Sequence, residues 1–150
     1  MGRPGDGLHM NGAPPGAETA VAVLAIIQLV IIGVSHIVQP RAWVQFFLLL
    51  RGKGHAGVFV VAFMSLWFGS IIVAFHNVWS GVPVILTLIG WAQVLKALIY
   101  FAFPAFALRR LALLSEERGW MLAVGGVVLV AVGALLAYDL LAAPGGLNRP

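Results

Sequence analysis

The chain has 150 residues, of which 61% are hydrophobic and only 9% are charged. Soluble globular proteins carry roughly 25% charged residues, so this composition excludes an ordinary water-soluble domain and indicates a protein that lies in a membrane. The net charge of +4 does not indicate nucleic-acid binding, because the nine Lys and Arg residues are scattered at the ends of apolar runs. The absence of cysteine excludes disulfides and thiolate metal sites.

The chain begins with a Gly- and Pro-rich segment, residues 1–18, that has no periodicity and is predicted to be a disordered tail. Four apolar segments of about 20 residues follow, the length of a helix that crosses a bilayer. The predicted spans are residues 19–39, 57–77, 82–103 and 120–141. We therefore predict an all-α integral membrane protein whose residues 19–142 form a four-helix transmembrane bundle, followed by a short C-terminal tail, residues 143–150. The sequence shows no convincing internal repeat.

Two further apolar stretches are too short to cross a membrane. Residues 41–51 (RAWVQFFLLLR) follow Pro40, which ends the first span, and residues 105–114 (AFALRRLALL) follow Pro104, which ends the third. Both stretches are predicted to be short helices that lie along the membrane surface.

The distribution of basic residues predicts the orientation. Loops 40–56 and 104–119 carry three basic residues each, the two tails carry one each, and the turn at 78–81 carries none. Because basic loops stay on the cytoplasmic side, we expect both loops in the cytoplasm and both termini outside. A bacterial inner membrane is the expected location.

Polar side chains on spans one and three form two stripes at matching depths. The stripes consist of Gln28, Ser35 and His36 on span one, and Gln93, Lys96 and Tyr100 on span three. Gln93, Lys96 and Tyr100 lie within about 60° of one another on a helix. We expect the stripes to face each other and to form a ligand-binding pocket that opens to the cytoplasm. An ionisable residue inside a membrane, such as Lys96, is by default a functional-site hypothesis. The alternative is that these side chains only bond helices together.

A second, weaker candidate site is formed by His76 and Asn77 at the outer end of span two, where the alternative is a histidine that merely ends the helix. No His–carboxylate cluster with metal-ligand spacing occurs, so no metal and no cofactor are predicted. No acid–base dyad or nucleophile–base pair lies in the spans, so we do not expect an enzyme.

Span four carries small residues, among them Gly126, Gly133 and Ala137, which let helices approach closely. They predict tight packing, either within the chain or in a homo-oligomer or with a partner membrane subunit. The sequence thus indicates a small multi-pass membrane protein that binds or transports a small molecule or lipid through the pocket between spans one and three. The alternative is a non-catalytic structural or accessory subunit of a membrane complex.

Overall fold

The computed structural model describes residues 16–113 and 119–142. The predicted C-terminal tail lies outside the described residues, as does the predicted N-terminal tail up to residue 15. Within these two ranges the chain forms six helices: α1 (Ala17–Val38), α2 (Pro40–Gly52), α3 (His55–Phe75), α4 (Val84–Ala102), α5 (Pro104–Leu111) and α6 (Gly119–Ala142).

The predicted all-α fold with four spans is confirmed, because α1, α3, α4 and α6 are each long and apolar enough to cross a membrane. Their ends lie within two residues of the predicted ones. The short helices α2 and α5 occupy the two loop segments for which short helices were expected.

Pro40 and Pro104 each mark the end of one helix and the start of the next. Gln39 (φ −129°, ψ 53°) and Phe103 (φ −131°, ψ 65°) leave the helical conformation in nearly the same way. Pro40 and Pro104 then occupy the first turn of α2 and α5. The ring of a proline disfavours helical geometry in the residue before it, whereas its own missing N–H is harmless at a helix start. One non-helical residue therefore turns the chain from a span into a short helix.

The structure contains a repeat that the sequence does not display. Residues 17–75 and 84–142 each consist of a span, a proline-initiated short helix and a second span, and the two prolines are 64 residues apart. Packing repeats as well: α1 packs most extensively on α6 and α4 on α3, while α2 contacts α6 and α5 contacts α3. The first span and short helix of each half thus pack on the last span of the other half. Many different apolar sequences can fill lipid-facing positions. In the sequence the repeat is therefore visible only in the segment lengths and in the positions of the two prolines.

Two apolar cores fill the bundle. One, beneath the end that carries residues 76–83 (the turn end), contains side chains from all four spans. Its buried members are Val21, Ala25, Leu29, Ile72, Leu86 and Leu136. The other lies at the opposite end, which carries α2 and α5 (the loop end), and consists of Val58, Ala107 and Leu111 with Phe47, Tyr100 and Leu108 around them.

The two main helix pairs meet at glycines. A Cβ atom added at Gly126 would lie 2.6 Å from the carbonyl oxygen of Gly33, and one added at Gly69 would lie 2.7 Å from that of Gly90. Backbones can approach this closely only where side chains are absent. Glycine on glycine therefore fixes both α1 on α6 and α3 on α4.

The tight packing expected of span four occurs within the chain. Gly126 and Gly133 are both buried, and a Cβ at Gly133 would meet the Val30 side chain of α1 at 2.9 Å. Ala137 is half-buried on the same helix. Because α1 already covers the two glycines, a partner helix cannot reach them unless α1 moves away.

Candidate functional site

The six residues expected to form one pocket are divided into three groups. Ser35 and His36 belong to the first, together with Trp43 of α2. The Trp43 Nε1–H donates to Ser35 Oγ at 2.9 Å, and the His36 and Trp43 rings stack with centroids 4.1 Å apart. His36 Nδ1 lies 2.8 Å from the carbonyl oxygen of Ile32 and can donate to it. These contacts hold α2 against the end of α1, which is the bonding role that the sequence left open.

Gln28 forms the second group. It lines a groove between α1 and α3 with apolar neighbours that include Trp67 and Phe68. Within the described ranges its side chain makes no hydrogen bond.

Gln93, Lys96 and Tyr100 form the third group, on α4. The Lys96 Nζ lies 5.6 Å from the centroid of the Tyr100 ring. Among the residues that the structure describes, no hydrogen bond or ring contact joins this group to Ser35 or His36. Matching depth on two helices does not make those helices neighbours: α1 packs chiefly on α6, and α4 chiefly on α3. The single pocket between α1 and α4 is therefore not assembled in this structure.

His76, from the weaker candidate site, is the most unusual polar residue in the described part of the chain. It follows directly after α3, and its backbone N–H donates to the Ile72 carbonyl at 2.7 Å. Its side chain is only 4% exposed. Both ring nitrogens, Nδ1 and Nε2, are buried without a hydrogen-bond partner. Buried polar groups are nearly always paired, and an unpaired one is destabilising, so this arrangement requires an explanation.

A buried threonine holds this segment in place. The Thr87 hydroxyl lies 2.8 Å from the Val78 carbonyl and 3.3 Å from that of His76, and it accepts the Val78 N–H at 3.1 Å. It thereby takes the hydrogen-bonding role that a continued helix would have played. Because the backbone is fixed in this way, the His76 ring is directed into the bundle.

Asn77 points away from the bundle. It is exposed, and its Oδ1 accepts the Nε1–H of Trp79 at 3.0 Å and that of Trp91 at 3.5 Å. The predicted pair is therefore split, and only His76 faces inward.

His76 lines a cavity of about 160 Å³ where the ends of the four spans meet. Two acidic residues line the same cavity: Glu18, which is exposed in the first turn of α1, and Asp139, which is half-buried in the last turn of α6. No Lys or Arg is among the described lining residues. A negative charge is disfavoured at a helix carboxyl end, so the position of Asp139 would be stabilised by a nearby cation. We call this site the turn-end pocket.

The turn-end pocket is suited to a molecule that is cationic and donates hydrogen bonds. A neutral imidazole offers one acceptor and one donor, and ionised carboxylates only accept. In the described part of the chain no three His, Cys, Asp or Glu side chains are close enough together to hold a metal ion. The cavity is similar in size to one of about 150 Å³ that binds benzene. It therefore fits an organic cation with about six non-hydrogen atoms.

The sequence identified His76 but missed its two acidic neighbours. Glu18 was included in the predicted tail, although helix α1 begins one residue before it. Asp139 was not assigned to any predicted site, although a carboxylate in the last turn of an apolar helix was a usable signal.

Four apolar spans and two proline-initiated short helices define a multi-pass integral membrane protein. Comparison with known protein families, with curated proteins and with solved structures finds no match to this chain.

Proposed function

We propose that this membrane protein binds a small organic cation in the turn-end pocket. The observation that carries the proposal is His76, whose two ring nitrogens are buried and unpartnered and which lines a cavity together with Glu18 and Asp139. A structural role alone would be served by a leucine or phenylalanine without the penalty of an unpaired polar group. A bound cation with N–H donors would pair with the ring and with Asp139 together.

The proposed ligand is a protonated amine rather than a neutral molecule. Asp139 is half-buried beside apolar side chains such as Leu136 and Leu140. A carboxylate in such surroundings attracts a cation more strongly than one in water, because the dielectric is lower. Water could fill the cavity and bond the ring, but it would not neutralise the carboxylate.

Butylammonium and 1-butanol provide a matched pair of probes, of nearly equal size and differing in charge. We expect butylammonium to raise the unfolding temperature of the purified protein in neutral detergent, because a ligand that binds only the folded state stabilises it. 1-Butanol at the same concentration should not do so. The increase in unfolding temperature should disappear in H76L. In D139N the apparent affinity for butylammonium should be at least tenfold lower.

The control is H55L, which removes an exposed histidine at the loop end and should keep the wild-type response. Equal stabilisation by butanol would show that the site selects for shape and not for charge. An undiminished response to butylammonium in D139N and H76L would place its binding elsewhere and refute the proposal.

The charge distribution supports an orientation in which the pocket opens to the outside of the cell. The described carboxylates, Glu18 and Asp139, lie at the turn end, whereas the described Arg residues and Lys53 lie in α2, in α5 or directly after α2. The positive-inside tendency then favours a cytoplasmic loop end. A bacterial inner membrane fits this arrangement. Single-cysteine labelling in the cysteine-free chain tests the orientation.

A further inference from the structure

Lys96 is a positive charge without a negative partner in the described residues. It lies in α4 about 9 Å from the loop end of that helix, at 1.5 Å per residue. It is half-buried and forms no salt bridge or hydrogen bond within residues 16–113 and 119–142. Glu116 and Glu117 of the neighbouring loop lie outside the described residues. A charged lysine at this depth is costly unless its amino group reaches water or an anion.

The Lys96 amino group lies over the ring of Tyr100. The Nζ atom is 5.6 Å from the centre of this ring, which is within cation–π range, and Tyr100 is one helical turn nearer the loop end. Long cationic side chains commonly extend in this way toward the membrane surface while their stems stay in apolar surroundings. From its position about 9 Å inside the loop end of α4, the amino group can extend in the same way toward the level at which lipid head groups lie.

A second cation lies on the short helix against which Tyr100 packs. Tyr100 contacts the cluster that contains Ala107 and Leu111 of α5. Arg110 is on the same helix, and its guanidinium group lies 5.1 Å from the centre of the Phe106 ring. Burial of Ala107 and Leu111 holds α5 against the bundle. An ammonium, a phenol and a guanidinium are all hydrogen-bond donors, and together they suit a phosphate group.

The surrounding surface of α4 is apolar and exposed. Leu95, the residue before Lys96, is 56% exposed, and Phe103, which directly follows α4, is 64% exposed. This surface can accept acyl chains, which a free phosphate ion does not have. The combination of a half-buried cation, nearby donors and an apolar flank therefore points to a lipid rather than to a soluble anion.

We infer that Lys96, Tyr100 and Arg110 bind the phosphate group of an anionic membrane lipid. This site lies at the loop end and is independent of the turn-end pocket. Basic pockets between spans are known to take up anionic head groups in this manner.

The test measures the preference of the protein for spin-labelled phosphatidylglycerol over spin-labelled phosphatidylcholine in mixed vesicles. We expect a clear preference in the wild type and a loss of about fivefold in K96M, on the usual scale for one basic residue near a membrane surface. K53M is the matched control, because Lys53 is the only other lysine and is exposed at the same end. K53M should lose clearly less of the lipid preference than K96M, and K96R should keep most of it.

Glycerol phosphate in solution separates the two sources of phosphate. It should not compete with the labelled lipid at millimolar concentration, since it lacks acyl chains. Full competition would show a site for soluble phosphate and would contradict the lipid assignment. Wild-type lipid preference in folded K96M, or an equal loss in K53M, would overturn the inference.

Discussion

Replacing Gly126 with alanine tests whether the α1–α6 contact holds the bundle together. The added Cβ would lie 2.6 Å from the Gly33 carbonyl oxygen and 2.8 Å from the Cβ of His36. Neither atom belongs to the far end of a flexible side chain, so α1 must move for the methyl group to fit. We expect G126A to destabilise the protein.

Gly125 supplies the control that gives the prediction its magnitude. It is the preceding residue of the same helix, and a Cβ added there meets nothing within 4 Å. Alanine gains about 1 kcal/mol over glycine in a helix interior, and this gain is similar at both positions. Overpacking in a close-packed interior destabilises by about 1–3 kcal/mol, and it applies to Gly126 only. The free energy of unfolding should therefore be about 1–3 kcal/mol lower in G126A than in G125A.

The assay is equilibrium unfolding from neutral micelles by added sodium dodecyl sulfate, followed by the fluorescence of the five tryptophans. The two midpoints should differ with similar slopes. Equal midpoints, or a lower midpoint for G125A, would mean that α1 and α6 do not meet at these glycines, and the described packing would be incorrect.

Two further predictions concern the turn end. T87V should lower the free energy of unfolding by about 1–3 kcal/mol, because the part-buried carbonyl and N–H of Val78 and the buried carbonyl of His76 lose their partner. S70A, which removes an exposed hydroxyl, should change the free energy of unfolding by less than about 0.5 kcal/mol in the same assay. An equal effect of both substitutions would contradict the role of Thr87. In intact cells, a membrane-impermeant maleimide should label S80C in the turn but not G52C at the end of α2, and the opposite pattern would reverse the proposed orientation.

The spans and short helices could be predicted because the membrane imposes length and hydropathy. An apolar run of about 20 residues has few alternatives to a helix that crosses the bilayer. Proline adds a second local constraint, so the breaks at Gln39 and Phe103 follow from their successors alone. These features depend on neighbouring residues in the chain and on nothing farther away.

The arrangement of the helices could not be predicted, because it depends on which small residues meet. Span four signalled close packing, but Gly126 and Gly133 did not say which helix would cover them. For the same reason, the depth of His36 and Lys96 was estimated along their helices while their separation across the bundle was not. The acidic residues of the turn-end pocket come from opposite ends of the chain, and no local pattern relates Glu18 to Asp139.

Under the proposed function, the core below the turn-end pocket would oppose passage of a cation across the membrane. Between His76 at one end and Lys96 at the other lies the apolar core beneath the turn end, in which Leu29, Ile72 and Leu86 are at most 8% exposed. The polar residues at intermediate depth include Gln28, in the groove between α1 and α3, and the buried Ser65, and neither belongs to this core. A cation that enters beside Asp139 would therefore meet the apolar side chains of this core. Its passage across the membrane would require α1 to separate from α3 or α6. Because α1 and α6 are joined through Gly33 and Gly126, that separation would have to break the closest backbone contact between the two helices.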